Sequence, residues 1–148
     1  MPPHDRLDLA RVLLARAVDD ETLVRKVCSD ADVADSIVGF HAQQAAEKLI
    51  MAVLAARGVA FVKSHALSYL IGLVEENHIE APDELSEADV LSPWAVEFRY
   101  ESEEPTALDR SAALVLVAQL RTWTESEIKT ADQPPNPNQR EPDEDQPQ

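Results

Sequence analysis

The run Phe40-His41-Ala42-Gln43-Gln44-Ala45-Ala46-Glu47-Lys48-Leu49 sets an imidazole, two amides, a carboxylate and an ammonium among small apolar residues. On a helix, Gln43 and Glu47 fall at i, i+4 on one stripe. His41, Gln44 and Lys48 fall at i, i+3, i+7 on the adjacent one. Two shorter groups follow, Ser64-His65-Ala66-Leu67 and Glu97-Phe98-Arg99-Tyr100. Imidazoles such as His41 and His65 exchange protons near neutral pH. Lys48 and Arg99 are of the type that holds phosphate or carboxylate. Two readings fit these residues. One is a pocket for a nucleotide or another anion, with Lys48, Arg99 and His65 as donors and Tyr100 stacking or hydrogen bonding. The other is an internal hydrogen-bond network that fixes helix register, with Arg99 pairing Glu47.

Other chemistries find less support. Cys28 is the only cysteine, so an intramolecular disulfide is impossible and a cysteine-based zinc site is disfavoured. Only Arg25 and Lys26 near it could lower its pKa, which argues against a nucleophilic role. No His or carboxylate pair shows metal-ligand spacing in more than one place, and His4 and His78 read as surface residues, so neither a metal nor another cofactor is expected. The chain carries 28 acidic and 13 basic side chains, a formal net charge of −15. That field opposes strong nucleic-acid binding, which depends on cations neutralising phosphates. The first 18 residues include Asp5 and Asp8 and do not resemble a signal peptide. No apolar run is long enough to span a membrane, so the expectation is a cytoplasmic protein without membrane contact.

The elements that must position these groups read as helices. Only 3 glycines occur among 148 residues, and the 10 prolines cluster at the ends and in one loop. Residues 5–18 form a first amphipathic helix, and residues 19–28 a short helix or its continuation. Residues 32–57 are the strongest helical segment, interrupted only by Gly39 and ended by Gly58 as a C-terminal cap. Val38, Ala42, Ala45, Leu49, Ala52, Val53 and Ala56 fall in one arc of about 100°. Phe40, Met51 and Leu54 share the opposite arc with Gln43, Gln44, Glu47 and Lys48, so this helix should be buried on two faces. Ser64 is placed to N-cap a helix over residues 65–76. A short helix is expected around residues 84–91, and residues 94–100 could be helical or extended. Thr106 is the expected N-cap of a last helix over residues 107–130, with Asp109 completing a capping box. Its buried side is traced by Leu114, Val117, Leu120, Arg121, Trp123, Thr124 and Ile128. Residues 131–148, with five prolines and an acidic cluster at Asp143, Glu144 and Asp145, cannot form a core and are expected to be a disordered tail. The division is one helical domain over residues 1–130 and the tail over residues 131–148.

In order along the chain, F-H-x-Q-Q-A-x-E-K, S-H-x-L and V-x-x-R-Y (Val96, Arg99, Tyr100) resemble the HEPN family, a name shortened from "higher eukaryotes and prokaryotes nucleotide-binding". The resemblance covers roughly residues 5–130. Met51 departs from it, because members often carry a second lysine there, which weakens any cationic patch around Lys48. The resemblance implies an all-α fold, an antiparallel up-and-down bundle of four or five helices, usually a homodimer. Some members are RNases that use R-x(4–6)-H at the dimer cleft. Others pair with a minimal nucleotidyltransferase, as toxin and antitoxin or as substrate-binding partner. After Arg99 the histidine positions hold Glu104, Pro105 and Thr106, and His65 follows Arg57 one residue too far. The expectation is therefore a non-catalytic protein that binds a nucleotide or assists a nucleotidyltransferase. A degenerate RNase toxin and a purely structural interaction module are the alternatives.

Overall fold

Small residues at seven-residue spacing decide how the first helix packs. Ala10, Ala17 and Val24 are all at most 1% exposed and lie along one side of α1, which spans Pro3–Val27 without interruption. The segment 19–28 is thus its continuation. The computed structural model describes residues 2–64, 66–95, 107–134 and 138. Across these it contains α1, α2 (Asp35–Ala56), α3 (Leu67–Glu76), a 3-10 helical stretch (Asp83–Trp94) and α4 (Arg110–Ala131). No strand occurs among the described residues. The fold is all-α, as expected.

Cross-helix contacts give the directions. Arg11 of α1 meets Asp132 just past α4, Glu21 meets Arg121, and the carbonyls of Val27 and Cys28 meet Arg110. The numbers rise on one helix as they fall on the other, so α1 and α4 run antiparallel. Arg110 meets Asp35, Thr124 meets the Leu49 carbonyl and Glu127 meets Arg57, so α2 and α4 run parallel. This is the order of directions in an up-and-down bundle.

α2 is the central element, in contact with α1, α3, α4 and the 3-10 stretch. Its Ala42, Ala45, Ala46, Ala52 and Ala55 are at most 4% exposed, and their small volume lets neighbouring backbones approach closely. Leu49, Ile50 and Leu54 are fully buried beside them, as are Leu67, Leu70, Leu91 and Leu120 from the surrounding elements. Burial of each such side chain contributes about 1.5–3 kcal/mol. α2 ends where Gly58 takes a positive φ of 70°. The Gly58 N–H donates to the Ala55 carbonyl and the Val59 N–H to the Leu54 carbonyl, which satisfies two carbonyls left open by the last turn.

Helix starts differ from the sequence expectation: α1 begins at Pro3 rather than residue 5 and α2 at Asp35 rather than residue 32. α3 begins at Leu67 rather than residue 65, because Ser64 Oγ accepts from the Ala66 N–H in a local turn instead of capping the helix. α4 begins at Arg110, with Asp109 as the N-cap accepting from the Ala112 N–H at 3.0 Å; Thr106 lies outside the described residues. This register places Arg110 where its guanidinium reaches Asp35 and the carbonyls of Asp30 and Val33. The expected short helix at 84–91 is a longer 3-10 stretch. Its buried residues, Leu85, Ala88, Leu91 and Trp94, recur at every third position. Three residues per turn stack them into one straight ridge, which α-helical geometry would splay. Ala113 and Leu116 join the expected buried residues on α4, while Leu114 is only half-buried. α4 ends at Ala131; residues 96–106, 135–137 and 139–148, and with them most of the tail expected to be disordered, lie outside the described residues.

Candidate functional site

The Phe40–Lys48 run occupies the second to fourth turns of α2 and meets α1 through His41 and Lys48. Helical spacing separates it into a buried part, Gln43 and Glu47, and a partly open part, His41, Gln44 and Lys48, so the enclosure expected for all of Gln43, Gln44, Glu47 and Lys48 holds only for the first stripe. Gln43 is 0% exposed and Glu47 2%. Gln43 Nε2 donates to Glu47 Oε2 at 3.0 Å, and Gln44 Nε2 donates to Gln43 Oε1 at 2.8 Å and more weakly to the same Glu47 oxygen at 3.4 Å. A buried carboxylate is costly without donors, and the two amides supply donors to Glu47 inside the bundle.

His41 and Lys48 point to the other side of the stripe and converge on α1. His41 Nδ1 lies 2.9 Å from Asp20 Oδ1, and Lys48 Nζ lies 2.5 Å from Asp20 Oδ2. An ionised carboxylate only accepts hydrogen bonds, so the His41 Nδ1 proton is aimed at Asp20. The Asp20 side chain is 13% exposed and those of His41 and Lys48 are 25% exposed. One carboxylate thereby ties two cationic-type side chains, seven residues apart on α2, to α1. The His41 ring also meets Phe40 edge-on, with centroids 5.2 Å apart.

A second clip lies one residue further along α1. Glu21, 4% exposed, accepts from Arg121 Nε on α4 at 2.7 Å, and Arg121 also reaches Glu125 at 2.9 Å. Hydrogen bonding from Glu125 and then Glu21 holds the Arg121 pKa above the ordinary guanidinium value. The α1–α2 turn is gathered by Arg110, which bonds Asp35 Oδ1 at 2.8 Å and four backbone carbonyls between Val27 and Val33.

Of the residues singled out from sequence, the structure brings together His41, Gln43, Gln44, Glu47 and Lys48. His65, Arg99 and Tyr100 lie outside the described residues, as does the expected Arg99–Glu47 pair. Sequence reasoning missed Asp20, Glu21 and Arg110. A signal for the first two existed. They stand three and four residues after Ala17 and four and three before Val24, so they interrupt the buried stripe of α1 with acids. Nothing in the sequence marks Arg110 from other surface arginines.

Among the described residues, no group of three or more His, Cys, Asp or Glu side chains could hold a metal ion. No helix among them is long and apolar enough to cross a membrane. No curated protein and no solved structure matches the chain significantly. The HEPN domain model matches residues 10–128, from within α1 through most of α4. Its span takes in both the polar run on α2 and Asp20 of α1, which holds its His41 and Lys48, and the chain belongs to the HEPN domain family.

Proposed function

We propose that this chain is a non-catalytic HEPN-domain protein that works by association, as a homodimer and as the partner of a minimal nucleotidyltransferase. One observation carries the reading: the imidazole and the ammonium of the polar run both end on Asp20, inside the same chain. Lys48 is neutralised there, and Gln43, Gln44 and Glu47 are engaged with one another. His41 and Lys48 therefore spend their polar groups on fixing α2 against α1, and Gln43, Gln44 and Glu47 bond to one another within α2, which supports the partner reading over a nucleotide pocket at this place. The net charge of −15 acts in the same direction by repelling phosphates. The histidine positions after Arg99 hold Glu104, Pro105 and Thr106, which leaves metal-independent RNA cleavage without its usual acid and base.

Association needs surface. On α1, Val12 is 57% exposed and Leu23 38% exposed, and they lie within about 20° of one another around the helix. Arg16 and Asp19 stand between them on the same stripe. Apolar ends with opposite charges between them suit an isologous contact, in which the stripe meets its own two-fold copy. The test is co-expression with the genes that flank it, with light scattering on the purified product. A stable complex built on a dimeric chain is expected. A monomer that recovers no nucleotidyltransferase refutes the reading. Calorimetric binding of a nucleotide that disappears in Lys48→Met overturns it in favour of a pocket.

A further inference from the structure

A groove of about 490 Å3 opens at the end of the bundle where α1 begins and α2 stops. Its floor is apolar, with Leu9, Ala55, Val59 and Phe61, and its two charged lining residues are Arg6 and Lys63. In a chain with a net charge of −15, a groove lined by two cations and no carboxylate is an exception. Neither cation is satisfied within the described residues. Arg6 Nε is buried there without a hydrogen-bond partner, and its guanidinium lies against Gly58, where an added Cβ would meet Nη1 at 1.8 Å. Lys63 is exposed and makes no ion pair among the described residues. The groove thus presents an apolar floor and two cations without anionic partners.

We propose that the acidic, proline-rich C-terminal segment of the same chain, residues 139–148, docks in this groove. Three observations select this occupant. First, α4 delivers the chain to the right place. Ile128, in its last turn, packs in one cluster with Ala55 and Phe61, which line the groove, and Asp132 is held by Arg11 of α1 at 3.1 Å. Second, the length suffices. The seven residues 133–139 reach at most about 25 Å, more than twice the 8–10 Å between packed helix axes. Third, the charge is complementary. Residues 139–148 carry Glu141, Asp143, Glu144 and Asp145 against a single Arg140. Pro142 and Pro147 favour an extended segment that loses little conformational freedom on docking, and such segments pack on aromatic side chains like Phe61. The short tether sets an effective concentration in the millimolar range, so weak individual contacts are enough for the segment to be bound most of the time. Docked, the segment covers the apolar floor and gives Arg6 and Lys63 their anions.

The test uses the full chain, carrying Cys28→Ser and Gln146→Cys, with a nitroxide spin label on the new thiol. Amide resonances of Leu9, Ala60 and Phe61 are expected to lose intensity by ~3-fold or more, while Asp30 and Ala112 at the opposite end keep theirs. In 1 M salt, where the Debye length is about 3 Å, the loss should vanish. Lys63→Glu, an exposed change that leaves the core intact, should reduce the loss at least ~2-fold by reversing one attraction. Absence of selective broadening, which would leave the groove to an acidic segment of another protein, overturns the proposal. So does selective broadening seen only when isotope-labelled chain is mixed with spin-labelled, unlabelled-isotope chain, since that assigns the groove to the segment of a second copy. Broadening that survives both high salt and Lys63→Glu also overturns it, because charge would not be selecting the occupant.

Discussion

Asp20 offers the sharpest test of what the polar run is for. In Asp20→Ala, His41 and Lys48 both lose their partner. Hydrogen bonds to charged groups contribute about 1.5–3 kcal/mol each when sheltered. The His41 and Lys48 side chains are 25% exposed, so they recover part of their hydration when released. The expected loss is therefore about 2–3 kcal/mol for the pair of contacts, rather than the full sum. For a chain of this size that corresponds to a Tm lower by about 5–10 °C. Asp20→Asn keeps the volume and one acceptor oxygen, and should fall about halfway. The decisive measurement is a double-mutant cycle of Asp20→Asn with Lys48→Met by urea unfolding, since methionine keeps the aliphatic stem and removes only the charge. A coupling of about 1–2 kcal/mol is expected, with unchanged m-values. A coupling below about 0.3 kcal/mol, or a Lys48→Met chain as stable as the parent, would refute the idea that this ion triad holds α2 to α1.

Gly39→Ala should destabilise despite the better helix propensity of alanine. Its Cβ would stand 2.6 Å from the Trp94 ring, and overpacking of about 1–3 kcal/mol outweighs a propensity gain of under about 1 kcal/mol; denaturant midpoints decide the sign. His78 should behave in the opposite way. It ends α3 with a positive φ of 54°, and His78→Gly should stabilise by about 0.5–1 kcal/mol, read as a higher Tm. Arg110→Ala should cost about 2–4 kcal/mol by freeing Asp35 and the turn carbonyls, and amide exchange should accelerate in residues 28–34 before it does in the centre of α2.

Much of the framework was legible in the chain. A helix is a local structure, so its periodicity, its breakers and its C-terminal glycine are written at short range. That is why α2, its two buried faces and its stop at Gly58 could be read before any packing was known, and why Gln43 and Glu47 could be assigned to one stripe. Helix starts were less legible. Ser64, Thr106 and Asp109 are all competent N-caps, and local propensity differs little among them. Arg110 resolves the choice for α4, because only a start there lets its guanidinium reach Asp35 and the turn before α2. The 3-10 ridge of Leu85, Ala88, Leu91 and Trp94 was obscured because a period of three looks like an imperfect α-helix until Gly39 is seen to leave room for Trp94.

The polar run shows the division most clearly. Its residue types and their arrangement on α2 followed from sequence alone, because i, i+3 and i+4 neighbours are fixed by the helix. How those groups are partnered did not follow, because the partner of His41 and Lys48 is Asp20, which is 28 residues from Lys48 and on another helix. A charge-assisted bond between two helices is set by how those helices cross and in what register. Only the packed bundle, with Ala17 and Val24 bringing α1 against the alanine face of α2, placed that carboxylate between His41 and Lys48.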